Sequence, residues 1–459
     1  MLCTPMPQDE PHNAKTMNAA PPRILGLNPW IHDFAAYDVW ARPLGLYYLL
    51  AILRKAGFSV SYYDCLGRPD TSHLKKNRYG AGPYLKQALP APKILGDVKR
   101  RFSRYGLEPE RVRKDLSGAE KPDLILVTSL MAYWYPGVFE TIALAKEIWP
   151  DVPLVLGGTY PTLWPDHARN FSGADEVFTG LADERIVDLA NRHTGWSADN
   201  PVKSGALDDF PYPALDLEGA PVFAPVLTSR GCPFRCHYCA SGFLNPEFLR
   251  RDPDAVFDEM LYWRERYGLR DYVFYDDAML VQPEKYFLPL MDKILSRGLN
   301  CRFHTPNAVH IRNLTPRTAK TMFQAGFQTI RLGLETAVFS KRNGMDAKIT
   351  RQEFLDGARN MKEAGFDASV VGAYLLIGLP NQDYEAVKES ISIVKEAGIR
   401  PVLTHYTPIP HTALWEEAKA SSRYNLEADP LYTNRAVFPC QKAPFSWKLL
   451  SELKNLCAG

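Results

Sequence analysis

Three cysteines within eight residues, Cys232, Cys236 and Cys239 in Ser229-Arg230-Gly231-Cys232-Pro233-Phe234-Arg235-Cys236-His237-Tyr238-Cys239, are the residues of this chain best suited to chemistry. Thiolates so close together on one loop bearing a glycine and a proline can converge on a single inorganic centre. Three soft ligands suit an iron–sulfur cluster better than a closed four-ligand zinc site. One iron would then lack a protein ligand, and a small molecule could chelate it and accept an electron from the cluster.

Two other readings of the cysteines fit less well. A disulfide framework needs oxidising surroundings and paired cysteines, whereas the chain holds 8 Cys in 459 residues and the other five are scattered. A zinc knuckle needs a fourth ligand, which His237 could supply. That imidazole lies inside the loop, where it competes sterically with the neighbouring cysteines, so zinc ranks second and the cluster first.

The elements that position this loop follow from apolar periodicity. From Arg23 onward short apolar runs alternate with amphipathic stretches, the pattern of a parallel α/β sheet. Strands are expected at 23–28, 59–64, 124–128, 154–156 and 176–178, with helices at 43–53 and 139–148. A long, basic and less regular insertion separates the second strand from the third, over 67–121. The whole reads as a Rossmann/flavodoxin-like domain over 23–200, preceded by a disordered segment 1–22, with its ligand beyond the strand carboxyl ends. Asn28, Ser129, Gly157 and Gly158 fall at those ends, and paired glycines let backbone approach a large ligand closely.

A polar linker over 201–220, with Pro211-Tyr212-Pro213 near its middle, leads into a second series. Strands at 225–229, 272–275, 301–304, 329–333, 368–377 and 401–405 alternate with helices at 254–267, 285–297, 316–325, 351–364 and 384–397. Six such strands argue for a partial (β/α)6 barrel over 221–420, with reacting groups at its carboxyl-end face. The first strand opens directly into the cysteine loop. A C-terminal extension, 421–459, ends in a helix.

The C-x3-C-x2-C spacing with Tyr238 before the third cysteine resembles the signature of the radical S-adenosylmethionine (radical SAM) enzymes. The first domain resembles the cobalamin (vitamin B12)-binding domain that precedes the barrel in one large subfamily, and together the two likenesses run from Arg23 to about Trp415. The resemblance implies a 4Fe–4S cluster on Cys232, Cys236 and Cys239, and S-adenosylmethionine chelated to the open iron. Cleavage would give methionine and a 5′-deoxyadenosyl radical that takes a hydrogen from substrate. It assigns Tyr238, Asp276, Asn307, Glu335, Gly378 and Leu379 to S-adenosylmethionine. Asp276, in Tyr275-Asp276-Asp277 at the end of strand two, would accept from the methionine ammonium. Asn307 follows strand three, Glu335 closes Gly333-Leu334-Glu335 after strand four, and Gly378-Leu379-Pro380 lines the adenine. Pro408-Ile409-Pro410-His411-Thr412 is similar to the family's Pro-x-Pro-Gly-Thr turn, with His411 in place of glycine. Asn28, Ser129, Gly157 and Gly158 are the cobalamin-side residues. The Asp-x-His-x-x-Gly motif, whose histidine ligates cobalt in many cobalamin proteins, is absent, which argues against histidine ligation more than against cobalamin.

The activity so implied is cobalamin-dependent methylation of an unactivated carbon. Radical cyclisation, rearrangement or oxidation is the alternative, and a non-catalytic iron–sulfur protein a further one. A methylthiotransferase is disfavoured, since the first domain lacks a second three-cysteine site. Expected partners are a small-molecule or peptide substrate and an electron donor such as flavodoxin or ferredoxin. Net charge of +2 gives no reason to expect nucleic acid or an anionic membrane. The first twenty residues lack the apolar stretch of a signal peptide and no window approaches a membrane span, so the expected setting is the cytoplasm, where thiols stay reduced. A lone polar residue at a strand end usually caps a helix, but joint occurrence at successive ends of one barrel changes that balance. His310, His405 and His411 have no carboxylate partner in sequence and read as structural, Cys301 as strand packing, and Cys440 as packing rather than a substrate-side thiol.

Overall fold

Apolar runs without polar alternation suit strands covered on both faces. The computed structural model describes residues 20–67, 79, 81–202, 205–342, 345, 349–443 and 446–458; most of the expected disordered segment (1–19), 68–78 and 80 of the insertion, and 203–204 of the linker lie outside the described residues. The first half runs β1 (Arg23–Asn28), β2 (Ile31–Asp33), α1 (Leu44–Lys55), β3 (Ser59–Asp64), β4 (Lys86–Leu89), β5 (Phe102–Tyr105) and α2 (Pro109–Ser117). It continues through β6 (Leu124–Val127), α3 (Tyr135–Ile148), β7 (Leu154–Leu156), α4 (Thr159–Leu163), α5 (Pro165–Phe171), β8 (Glu176–Val177) and α6 (Ile186–Thr194). Five of the strands pair in parallel in the order β3-β1-β6-β7-β8, the flavodoxin-like arrangement. Leu25, Leu27, Ile125 and Val127 pack one face, while Ile24, Leu124 and Leu126 pack the other. A Cβ on Gly26 would lie 2.8 Å from Leu50 Cδ1, so glycine there lets α1 sit close on the sheet.

The insertion is more regular than its sequence suggests. β4 and β5 join β2 in a three-stranded antiparallel sheet, ordered β2-β5-β4. These strands are three or four residues long and β4 is largely exposed, so they leave little apolar periodicity to read.

The second half runs β9 (Ala224–Val226), β10 (Ser229–Arg230), α7 (Ser241–Leu244), β11 (Leu249–Arg250), α8 (Pro253–Tyr267), β12 (Asp271–Phe274), α9 (Phe287–Ser296) and β13 (Arg302–Val309). Then come α10 (Pro316–Ala325), β14 (Phe327–Glu335), α11 (Arg351–Glu363), β15 (Val371–Ile377), α12 (Tyr384–Glu396), β16 (Arg400–His405), α13 (Trp415–Ser421) and α14 (Trp447–Ala458). Six parallel strands lie in sequence order from β9 to β16, with β9 and β16 as edges, so the barrel is open. Local chemistry starts its helices. Asp252 caps α8 ahead of Pro253, Thr315 caps α10 ahead of Pro316, and Thr350 with Glu353 forms a capping box on α11. Under the helices Phe274, Phe303 and Phe327 stack, with centroids 5.1–6.0 Å apart. On the opposite face His304 pairs with Asp271 at 3.1 Å and stacks on Trp40 of the first domain at 4.5 Å.

The C-terminal extension returns to the first domain. Asn434 donates to Asp33 (2.9 Å), Tyr135 donates to Asp429 (3.0 Å) and Tyr424 donates to Asp97 (2.7 Å). Among the described residues no helix is long and apolar enough to cross a membrane.

Candidate active site

The cysteine loop leaves the carboxyl end of the first barrel strand and is fastened on both sides. Behind it, Asp276 is buried and accepts from Thr228 N (3.0 Å), Thr228 Oγ1 (2.6 Å) and Ser229 Oγ (2.7 Å). Burial pushes this carboxyl above the usual range, and those donors pull it back. Gly231 has φ +83, and a Cβ there would lie 2.3 Å from Glu247 O, so only glycine fits. In front, His237 N donates to Met345 O (3.0 Å) and Leu414 N donates to His237 O (2.9 Å). His310, expected to be merely structural, brings Nε2 to 4.0 Å from Cys232 Sγ with its ring against Phe234.

Among the described residues no three His, Cys, Asp or Glu side chains are drawn into a closed metal-holding group. The three thiols of the loop nonetheless share one electrostatic neighbourhood. The Cys232 thiol is pushed up to about 11, by burial first and then by the negative charge of Asp277, Cys239 and Cys236. Holding all three as thiolates therefore calls for a positive centre between them. Three soft, mutually repelling donors on a loop anchored by its backbone fit an iron–sulfur cluster.

Beside the loop, a cavity of about 360 Å³ opens at the carboxyl ends of β14 and β15, bordered by His237, Glu335, Arg342, Leu379 and Gln382. Glu335 is buried at a register shift in β14 and holds φ +59, with Arg342 Nη2 at 3.7 Å. A non-glycine residue in that conformation costs about 1–3 kcal/mol and persists only where its surroundings impose it. Gly378 (φ +86) lies behind the wall: its N–H donates to Gln382 Oε1 at 2.7 Å, and a Cβ would strike Phe438 at 2.7 Å. Tyr238 packs on the apolar group containing Leu376, Leu379 and Tyr406.

Two positions differ from expectation. Asn307 lies within β13 rather than after it, because that strand runs five residues past its expected end; its side chain is exposed and donates to Tyr275 O at 2.8 Å. Of the adjacent acids, Asp276 faces the back of the loop, whereas Asp277 accepts from Ser241 Oγ (2.6 Å) and borders a cavity with Gly231. No motif or periodicity marks Arg342 or Gln382, and the strand-end pair gave no reason to prefer Asp277 to Asp276.

A second cavity, about 290 Å³ and mostly apolar, lies at the carboxyl ends of β6 and β7, and Leu126, Val155, Gly157, Gly158 and Phe178 border it. It reaches Leu244 and Asn245, just beyond the cysteine loop. Ser129 braces it from behind, donating to Gly157 O at 2.9 Å and accepting from Thr159 N at 2.9 Å. A Cβ on Gly158 (φ +100) would lie 2.3 Å from Ser129 O, whereas one on Gly157 meets nothing within 4 Å. Asn28 is turned away and donates to Asp64 Oδ1 at 2.7 Å. An apolar slot with a bare glycine at its rim and no imidazole among its bordering residues fits the tail of a large planar cofactor rather than a metal ligand set.

The other singled-out residues find structural places. His411 holds φ +66 where the similar turn has glycine, and stacks on Phe243 at 4.0 Å. Cys301 and Cys440 are buried in apolar clusters, and burial pushes the Cys440 thiol up to about 12.

Residues 226–391 match the radical SAM superfamily. The barrel thus carries that superfamily's domain, over about a third of the chain. It is 27% identical over 330 residues to an uncharacterised methyltransferase of Pyrococcus horikoshii, covering 66% of this chain and 70% of that one. Identity to an anaerobic magnesium-protoporphyrin IX monomethyl ester cyclase of Cereibacter sphaeroides is 24% over 335 residues, 65% of this chain and 53% of that one, so the match spans about half of the cyclase. The fold is that of TsrM, a radical S-adenosylmethionine methyltransferase of Kitasatospora setae solved with cobalamin and a 4Fe–4S cluster bound (TM-score 0.63, 16% identity, 87% of this chain and 78% of that one). The protein is thus an enzyme with a radical SAM domain, whose superfamily works with a 4Fe–4S cluster and S-adenosylmethionine, and the domain ahead of its barrel shares the fold of its counterpart in TsrM.

Proposed function

We propose that this radical SAM enzyme methylates an unactivated carbon of a small-molecule or peptide substrate with cobalamin as methyl carrier. Cys232, Cys236 and Cys239 would hold the cluster, and the cavity between Glu335 and Leu379 would take S-adenosylmethionine, with Tyr238 and Gly378 shaping its wall. The apolar cavity at Gly157 and Gly158 would take the corrinoid tail. When bound, these groups supply a carbon-centred radical and a transferable methyl group; the chain supplies binding, orientation and exclusion of water. The observation that carries the reading is that the first-domain cavity ends at Leu244 and Asn245, next to the cysteine loop, so both cofactors would meet over one face of the barrel. Methyltransferase names among its relatives support it.

The domain limits of 23–200, 221–420 and 421–459 serve this reading, with 201–220 as the joint. A low-potential donor such as flavodoxin or ferredoxin would reduce the cluster, and the reducing cytoplasm suits both. Ring formation or oxidation without methyl transfer is the second reading, favoured by likeness to the magnesium-protoporphyrin cyclase. Anaerobic reconstitution with iron, sulfide and corrinoid, followed by absorption and mass analysis, tests the first. Stoichiometric corrinoid beside four irons per chain is expected. A cluster-loaded chain that cleaves S-adenosylmethionine but takes up no corrinoid would hand the assignment to the second.

A further inference from the structure

Beside the cysteine loop the walls of the two halves meet at an ion pair. Arg230 Nη1 donates to Asp183 Oδ2 at 2.5 Å, with the side chains only 17% and 14% exposed. Asp183 lies in Gly180-Leu181-Ala182-Asp183, the turn that walls the first-domain cavity; Arg230 stands two residues before Cys232. Three cavities, of about 290, 530 and 310 Å³, adjoin here, and Leu181, Asp183 and Asn245 border all of them. The guanidinium also stands 5.5 Å from the Phe210 ring of the linker.

The backbone between this pair and the first cysteine has little freedom. Arg230 pairs with Leu249 in the short β10–β11 ladder, and Gly231 is clamped against Glu247 O. A displacement of Arg230 is therefore passed across one clamped residue to Cys232. On the other side of the loop, Leu244 and Asn245 follow Cys239 and border the same first-domain cavity. The cysteine loop is thus bracketed, before and after, by residues in that cavity's wall.

We infer that Asp183 and Arg230 are positioning residues that couple occupancy of the first-domain cavity to the geometry of the cysteine loop. A ligand that packs against the 180–183 turn fixes Asp183, hence Arg230, hence the approach of Cys232 to the metal centre. By thermodynamic reciprocity a completed cluster orders the same turn and tightens the ligand. The inference rests on the reading of the cysteines as cluster ligands and of the first-domain cavity as the corrinoid site.

The test is a corrinoid titration of wild-type protein with and without its cluster, followed by absorbance, together with electron paramagnetic resonance of the reduced cluster with and without corrinoid. Allosteric couplings typically span about 5–150-fold, and we expect about tenfold tighter corrinoid binding to the cluster-loaded chain, with a shifted cluster signal. Asp183→Asn and Arg230→Gln should each keep four irons and lose both the affinity difference and the signal shift, while Arg230→Lys, which retains the charge, should restore part of them. Wild-type protein that binds no corrinoid would defeat the underlying reading instead. Wild type that binds both groups with equal corrinoid affinity in the two forms, or single variants that keep the wild-type coupling, would overturn the inference. Should a variant fail to fold, the wild-type comparison alone decides.

Discussion

Glu335 is a buried acid held at positive φ beside a buried arginine, a combination that local energetics disfavours. Its position at the rim of the cavity gives that cost a purpose if the carboxylate binds a cationic or hydroxylic ligand. Glu335→Gln keeps the shape and removes the charge. A hydrogen bond to a charged group contributes about 1.5–3 kcal/mol, so affinity for S-adenosylmethionine should fall roughly 10- to 150-fold with the cluster's absorption unchanged. Equilibrium dialysis reads this, and an unaltered Kd would return Glu335 to packing. The two adjacent acids should separate in the same assay. Asp276→Asn keeps an oxygen for the Thr228 and Ser229 hydroxyls but turns its NH2 toward the Thr228 N–H, itself a donor, and reconstituted iron should drop because the loop base is disturbed. Asp277→Asn should keep its iron and weaken S-adenosylmethionine binding. Equal iron in both variants would leave Asp276 without a role in the loop. The sequence exposed the pair at a strand end but not which acid faces the loop. Strand alternation runs out at Phe274, and the turn beyond decides the directions.

At the scale of elements, the barrel was legible because its helices carry their own start signals and its strands are continuous apolar runs. The three-stranded sheet built from the insertion was not, since its strands are too short and polar to show a period. The paired glycines show the same division. Sequence marked Gly157 and Gly158 alike, as sites of close approach to a ligand, but only Gly157 has open space in front of it. Gly158 is held by backbone: its φ is left-handed and Ser129 O fills the place of a Cβ. Gly158→Val should therefore lower thermal stability sharply in the cofactor-free protein. Gly157→Val should change that stability by no more than about 0.5 kcal/mol, as at other open positions, yet block the cavity. Melting curves and corrinoid titrations of both variants check this. Wild-type corrinoid binding in Gly157→Val would remove that rim from the cofactor's path.

At the scale of the whole molecule, the C-terminal extension is a strap, tied to residues three to four hundred positions earlier through Asp33 and Asp97. Contacts of that range leave no local periodicity, so sequence could not announce them. His405 sits where strap and barrel meet, its ring 4.5 Å from Phe438. Burial, reinforced by Arg435, Lys454 and Arg100, depresses this imidazole from 6.5 to about 4. Above pH 6.5 it is neutral whether the chain is folded or not. Between 6.5 and 4 the unfolded chain takes up a proton that the folded one refuses, so stability is lost as pH falls through that window. A shift of this size is worth at most about 3.4 kcal/mol, at 1.36 kcal/mol for each pH unit. His405→Gln, which cannot titrate, removes that slope. Urea unfolding of the cluster-free protein at pH 7, 6, 5 and 4.5 should show the variant gaining on wild type by about 2 kcal/mol toward acid, within the limit that linkage allows. A difference between the two proteins that stays constant across that range would mean that His405 titrates normally and that the strap does not shield it.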